Sequence, residues 1–293
     1  MVVINIKRGD ESQFLYETSL TNKVEVVQND VLSIFNGRLK INRICSDMEE
    51  LSNYGIALPP NMVGLTDEQI KELHLKDDFA ENCTPSGGYS INEDPCKRRN
   101  GHQPNENLQS VIKKAITDAK NMVSRKLVNE GKCLTIKQVH QALDILKGAV
   151  RICYPMDLPP YDPIKMEFMN IEDLSGKQAS QEVIESSNCQ LWFAGRLMLN
   201  GNCLKDYLGQ NEKTKVIVKI AKRQEGAPSR EAAINEEQRK QMMLLTYRRQ
   251  EELKVFVQKM YSQNKIGIYQ EKIRRNSNLF FSTLLATNMH IQV

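Results

Sequence analysis

The sequence predicts an α+β fold with strands gathered near the two halves' outer ends and helices between and after them. Three observations carry that prediction. Val2, Ile4 and Ile6 alternate with Val3, Asn5 and Lys7 at the start, and Thr214 to Ile220 alternates with the same period of two. Between them, residues 105–147 hold two apolar stripes at helical spacing. A charged stretch from 236 to about 262 has the length of one long helix.

The opening strand meets a turn at Arg8-Gly9-Asp10-Glu11, and Phe14 and Tyr16 lie on the return strand of a hairpin. Val24, Val27, Val31, Ile34 and Phe35 mark a helix over 22–35, which Asn36-Gly37 is expected to stop. A second helix is expected over about 46–53. The region 1–58 thus reads as an N-terminal hairpin and helices. It has the strand–strand–helix start of a grasp-type fold but no evident closing strand.

Pro59-Pro60 opens a linker over 59–104 with one short helix. Thr66-Asp67-Glu68-Gln69 is a capping box: the Thr hydroxyl meets the third amide and the Gln side chain reaches back. Proline and glycine then recur through 77–104 as in a loop. A helical pair is expected over 105–147. Leu108, Val111, Ile112, Ala115, Ile116, Ala119, Met122 and Val123 form the first stripe. Thr135 caps the second helix, with Ile136, Val139, Leu143 and Leu146 inward and Gly148 at its end.

Residues 148–222 read as a compact module. Ala149 to Tyr154 is an apolar run expected as a strand, followed by a proline-rich loop to Pro163. Ile164, Met166 and Phe168 alternate with Lys165 and Glu167 as a second strand, and 172–187 reads as a helix. Leu191 to Ala194 is a third strand, Asn200-Gly201 a tight turn, Leu204 to Tyr207 a helical turn, and Thr214 to Ile220 the closing strand. Phe193-Ala194-Gly195, Gly201, Leu204, Asp206-Tyr207, Glu212 and Thr214 resemble the second half of ubiquitin. The resemblance implies a ubiquitin-like β-grasp domain over 148–222. Gly209 and Lys215 stand where it expects buried aliphatics. Beyond it, 223–293 is a linker, a helix that Asn235 can cap, and a tail without clear period.

Composition excludes several function classes. The 40 basic and 36 acidic residues leave a formal charge of +4, scattered and too mild for a nucleic-acid protein. No apolar run approaches the roughly 20 residues of a membrane span. The start is a strand pattern rather than a signal peptide. The seven cysteines are widely spaced without a CxxC pair, as in a protein of reduced thiols. Cys83 and Cys96 flank a glycine-rich loop but have no third or fourth ligand nearby. His74, His102, His140 and His290 show no zinc-binding spacing. No phosphate-cradling glycine motif is present, and no cofactor is expected. Arg8-Gly9-Asp10 reads as a hairpin turn, and Lys97-Arg98-Arg99 as a solvated basic patch.

The candidate functional residues are those of a protein-binding patch. Trp192 falls where the ubiquitin resemblance puts the centre of a recognition surface, with Val216 and Val218 beside it on the neighbouring strand. An exposed Trp with two aliphatics has the composition of an interaction hot spot. Two covers are open for it: a partner, or the 236–262 helix of the same chain. Conjugation is not expected, because no Gly-Gly ends the module and the chain runs on through Lys222-Arg223.

The chain as a whole resembles the Kurly family of cilia- and flagella-associated proteins. The resemblance rests on IKRGDESQFL (6–15), NGRLK (36–40), CSDMEEL (45–51), LPPNM (58–62) and GLTDEQI (64–70). It continues through PSGG (85–88), RRNG (98–101), YPMDLPPYDPIKMEF (154–168), EDLSGKQA (172–179), NEKTK (211–215), GAP (226–228) and RRQEELK (248–254). It covers roughly 1–254; the basic, tryptophan-free stretch Val255 to Val293 departs from the family's usual end. The resemblance implies a non-enzymatic cytosolic adaptor for motile cilia, acting in axonemal dynein arm preassembly and in cilium orientation and planar polarity. It implies dynein subunits, assembly factors and chaperones as partners, and a location in the cytoplasm or at the cilium base. The alternatives are a ubiquitin-like adaptor for turnover receptors and a microtubule-bound axonemal component.

Overall fold

The computed structural model describes residues 1–79, 81–213, 215–229 and 236–262. The chain divides into two compact units, 1–231 and 232–293.

The first unit opens with the expected hairpin, β1 (Val2–Arg8) and β2 (Glu11–Thr18), in antiparallel register from Val2↔Thr18 to Arg8↔Glu11. Gly9 turns it at φ +61. Helix α1 (Val24–Tyr54) then runs unbroken for 31 residues. Asn36-Gly37 does not stop it. A Cβ on Gly37 would sit 2.6 Å from Val139 Cγ1, so this glycine serves close helix–helix packing instead. Asn36 is likewise engaged elsewhere: its side-chain amide donates to Ile184 O (2.7 Å) and accepts from Ile184 N (3.2 Å). The helix ends at Gly55, φ +80, whose N–H returns to Leu51 O. The separate helices expected over 22–35 and 46–53 are therefore one element.

The capping box at Thr66 opens α2 (Asp67–Glu72) as expected. A small two-stranded ribbon, β3 (Tyr89–Ile91) and β4 (His102–Pro104), punctuates the loop region. Helix α3 (Glu106–Met122) is capped by Asn105, and a short turn of helix, α4 (Lys126–Asn129), follows. Helix α5 (Ile136–Cys153) begins at the Thr135 capping box. It passes through Gly148 and converts the expected strand 149–154 into its last turn. Val139, Ala142, Leu146, Ala149, Val150 and Cys153 are its buried face, spaced by three and four.

The second expected strand is also helical. Asp162 Oδ1 accepts from Ile164 N and Pro163 stands in the first turn, so α6 (Pro163–Phe168) forms. The helix expected over 172–187 shrinks to α7 (Gln178–Glu182). Strands then return: β5 (Cys189–Phe193) and β6 (Arg196–Leu197), a helical turn α8 (Lys205–Leu208), and β7 (Lys215–Lys222).

The five strands form one sheet in the order β2-β1-β7-β5-β6. Its centre is β7, parallel to β1 and antiparallel to β5. The sheet is thus not contained within 148–222; its first two strands come from the N-terminus. Helix α1 covers one sheet face, burying Val24, Val27, Val31, Ile34 and Phe35 against Ile4, Ile6, Leu191, Val218 and Ile220. Helices α3 and α5 close the other side of α1.

Buried arginines bind the layers. Arg38 on α1 donates to Val123 O (2.9 Å) beyond α3 and to Gln13 O (2.7 Å) on β2. Arg99, expected on a solvated patch, is instead buried with a side chain 3% exposed. It donates to Gly55 O (2.8 Å) and Asp47 O (3.1 Å) and lies 3.9 Å from the fully buried Asp162.

The second unit holds α9 (Glu236–Ser262), with the bounds the sequence predicts. Met242, Met243, Leu244, Leu245 and Leu253 are exposed on it. The Asn235 cap, the inward role given to Phe256 and Met260, the Thr214 start of the closing strand, His290 and the tail from 263 lie outside the described residues.

Candidate protein-binding face

The site begins with strand register. In β5–β7, Trp192 stands opposite Lys219 and Phe193 opposite Val218. In β1–β7, Asn5 stands opposite Ile217 and Lys7 opposite Lys219. Alternate side chains leave opposite faces of a sheet. Trp192, Ile217 and Lys219 therefore share the face turned away from α1, with Asn5 and Lys7. Val216 and Val218 point the other way, 8% and 1% exposed, packed in the core, although Val216 still borders the groove beside Trp192. The expected trio of Trp192, Val216 and Val218 is thus divided between the two faces. A shift of one residue moves a whole strand's pattern across the sheet. The parity of Val216, Val218 and Ile220 carried the signal, and it marks them as core.

The turn joining β5 to β6 shapes one end of the face. Ala194 (φ +49) and Gly195 (φ +78) both lie in the left-handed region, the backbone of a tight hairpin turn. A groove of about 500 Å³ runs from this turn past Trp192, Lys215, Ile217 and Lys219 to Pro228 and Ser229. Ile217 is exposed and Trp192 half-buried. The groove's polar groups are unevenly matched. Lys219 Nζ donates to Ser229 O (2.8 Å) and to Asp10 Oδ1 (3.2 Å). The Trp192 indole N–H is buried without a partner, as is Asn5 Oδ1. A buried donor left unpaired costs about 1–3 kcal/mol. The outer face therefore carries apolar area together with a donor and an acceptor still to be matched.

The remaining sequence candidates are spoken for. Arg8 Nη1 donates to Glu182 O (2.6 Å), and Asp10 meets Lys219, so the turn between them is tied into the fold. All seven cysteines are free; Cys83 is buried and Cys96 exposed. His102 stacks on Tyr89 at 4.0 Å between ring centroids, and burial holds its imidazole below the usual value. Among the described residues no three His, Cys, Asp or Glu side chains gather as a metal site. No described helix is long and apolar enough to cross a membrane.

Comparison with known proteins places the chain. The family model described as "Cilia- and flagella-associated protein 298" matches residues 189–269, which include β5, β7 and the groove. The cilia- and flagella-associated protein 298 of Drosophila melanogaster is 54% identical over 254 residues, 87% of each chain. That of Rattus norvegicus is 55% identical over 240 residues, 82% of this chain and 83% of the relative. That of Homo sapiens is 54% identical over 235 residues, 80% and 81% of the two chains. No solved structure matches the chain. Identical to these relatives at more than half of the aligned positions, over at least four-fifths of each chain, the chain belongs to the cilia- and flagella-associated protein 298 family.

Proposed function

We propose that this non-enzymatic family member is a cytosolic adaptor for motile cilia, supporting axonemal dynein arm preassembly, with a further role in cilium orientation and planar polarity. It binds assembly factors, chaperones or dynein subunits through the outer sheet face around Trp192. The observation that carries the reading is the groove beside Trp192, with exposed Ile217 and an unpaired indole N–H. Aromatic residues in partly desolvated grooves are where protein–protein binding energy concentrates. A chain without a described metal cluster but with such a groove fits a binding role.

The same sheet supports a β-grasp reading assembled from both ends of the chain. Strand, strand, helix, strand, strand, strand is the order of the sheet elements and α1, with the last strand between the first and third. Residues 55–188 are then an insertion between the helix and the third strand. A ubiquitin-like partner surface would need several aliphatics beside Trp192; Ile217 is exposed there, but Val218 is core, which disfavours the turnover-receptor alternative.

The test is affinity recovery from ciliating cells, comparing the wild type with Trp192→Asp and with Ile217→Asp. Selective loss of dynein chains and assembly factors from both variants, with circular dichroism unchanged, supports the adaptor reading. Undiminished recovery from both removes this face as the binding surface. Stable retention of the protein in detergent-extracted axonemes would favour the structural-component alternative instead.

A further inference from the structure

Three Asn-Gly steps occur in the chain: Asn36-Gly37, Asn100-Gly101 and Asn200-Gly201. Each sets a side-chain carboxamide next to a backbone nitrogen that has no Cβ beside it to hinder close approach. In such a step the glycine nitrogen can attack the asparagine Cγ. A C–N bond forms and closes a succinimide ring; the bond from Cγ to the side-chain nitrogen breaks, and ammonia leaves. Water then opens the ring at either carbonyl. One opening gives aspartate. The other gives isoaspartate, whose main chain runs through the former side chain. Water is the only co-reactant.

The fold treats the three steps differently. Asn36 and Gly37 lie inside α1, where the glycine N–H belongs to the helical ladder. Ile184 holds both ends of the Asn36 carboxamide, which donates to Ile184 O (2.7 Å) and accepts from Ile184 N (3.2 Å). Asn100 Oδ1 accepts from His102 N (3.0 Å), and the buried Gly101 gives its N–H to Tyr54 O (2.9 Å). In both steps the carboxamide and the attacking nitrogen are engaged. Asn200 and Gly201 are instead both exposed. Among the described residues, neither the Asn200 side chain nor the Gly201 N–H has a hydrogen-bond partner. Apart from its chain neighbours, no heavy atom lies within 4 Å of where a Cβ on Gly201 would stand, so the ring has room to close.

This turn also sits where a change would be felt. It is closed by Asn202 N on Leu199 O (3.4 Å), with Gly201 at φ +98. Helix α1 starts without a side-chain cap, and its first amide, Val24 N, donates instead to Asn202 O (2.9 Å). Just beyond, Leu204 N and Lys205 N donate to Asn22 O and Leu20 O, at 3.1 Å each. Tyr207 Oη holds the turn itself, accepting from Leu199 N (2.9 Å) and Asn202 Nδ2 (3.0 Å). The segment 199–205 thus clasps the chain entering α1.

We propose that Asn200 is a site of spontaneous deamidation, and that the isoaspartate formed there loosens the clasp on α1. Isoaspartate inserts one methylene into the main chain between Leu199 and Gly201. The lengthened turn cannot keep the Tyr207 and Val24 contacts at their present spacing together. The inference does not depend on what the Trp192 face binds.

The test ages the full chain in heavy-oxygen water at mildly alkaline pH and maps its tryptic peptides by mass spectrometry. A solvent-labelled carboxyl is expected at Asn200 at least about tenfold more often than at Asn36 or Asn100; ring closure at those two must break hydrogen bonds, and about 1.4 kcal/mol added to a barrier is tenfold in rate. In urea the three steps should react alike. Isoaspartate, counted by methyl transfer from S-adenosylmethionine with a protein-isoaspartate methyltransferase, should accumulate in the wild type and far less in Asn200→Gln, whose longer side chain closes the ring poorly. In the isoaspartate fraction, isolated by ion exchange, the Val24 amide should exchange its hydrogen faster than in unaged protein, while aged Asn200→Gln keeps the unaged rate. No modification at Asn200, equal modification of the three steps in the folded chain, a preference for Asn200 that persists in urea, or an unchanged Val24 rate in the isoaspartate fraction would each overturn the proposal.

Discussion

Replacing Arg99 with methionine is expected to be among the most damaging single changes in the first unit. Methionine keeps much of the length but removes every donor. Gly55 O and Asp47 O lose their N–H partners, and Asp162, fully buried, loses its nearest cation at 3.9 Å. Asp162 keeps the Ala57 and Ile164 amides, which hold its two oxygens at 3.0 Å each. The Glu50 contact adds little, because that side chain is 48% exposed and an exposed ion pair is worth about 0–1 kcal/mol. Each orphaned buried group costs about 1–3 kcal/mol, and breaking a buried pair costs about 3–5 kcal/mol in all. These descriptions overlap rather than add, so the expected loss is about 3–5 kcal/mol. Urea unfolding followed by far-UV circular dichroism measures it. Asp162 supplies a second check. Burial raises its carboxyl above the ordinary value while Arg99 opposes the rise. Without Arg99 it is raised further. A group raised in the folded state favours folding on the acid side and loses that advantage as pH rises. The Arg99→Met deficit should therefore be smaller at pH 5 than at pH 8, and Asp162→Asn in the same chain should recover part of it. A variant within about 0.5 kcal/mol of wild type, the range of an ordinary surface change, would refute the reasoning.

Four further outcomes are expected. Gly37→Ala gains helix propensity of about 1 kcal/mol but drives a Cβ to 2.6 Å from Val139, and overpacking costs about 1–3 kcal/mol; a lower urea midpoint is expected, and a midpoint above wild type would show that the α1–α5 contact yields freely. Wild-type stability should fall as pH rises from 5 to 8.5, because Glu167 is raised to about 8 in the folded state; Glu167→Gln should flatten that slope, and parallel curves would assign the slope elsewhere. Val218→Asp puts a charge in the core and should abolish the dispersed amide spectrum, whereas Trp192→Ser should retain it; a folded Val218→Asp would contradict the facing of β7. Thr135→Ala breaks the capping box of α5 and should cost about 1 kcal/mol by thermal melting, with no change in melting counting against that cap.

Local chemistry was readable wherever it decides structure alone. The hairpin at Gly9, the capping boxes at Thr66 and Thr135, the Leu108 to Val123 stripe and the bounds of α9 all follow from sequence. Two misreadings arose from residues with more than one use. Gly37 looks like a helix stop, but its missing Cβ is spent on Val139, a contact that local sequence does not contain. Pro163 looks like a loop, yet after Asp162 it is a helix start, and that signal was present. The run 149–154 is apolar and β-branched, and short apolar runs are ambiguous between strand and buried helix. The largest gap was non-local. The ubiquitin resemblance locates β5 and β7 as strands but not β6, and the parallel partner of β7 lies at residues 3–7. Nothing in the intervening segment announces that pairing. At the candidate site, Trp192 was found by resemblance, while its neighbours Ile217 and Lys219 required the register.

Strand β7 has a consequence for how the protein comes into being on the ribosome. It is the sheet's centre, hydrogen-bonded to β1 on one side and β5 on the other. β1 emerges first, and β7 follows about 200 residues later, roughly 10–40 s at the usual ~5–20 residues per second of synthesis. Throughout that interval the hairpin presents one bare β1 edge, and α1 waits with much of its apolar face uncovered. Long-range parallel pairing is the slow kind, and exposed edges invite association with other chains. A nascent chain that must keep both apart until its C-terminal half arrives has a built-in demand for chaperones on its own behalf.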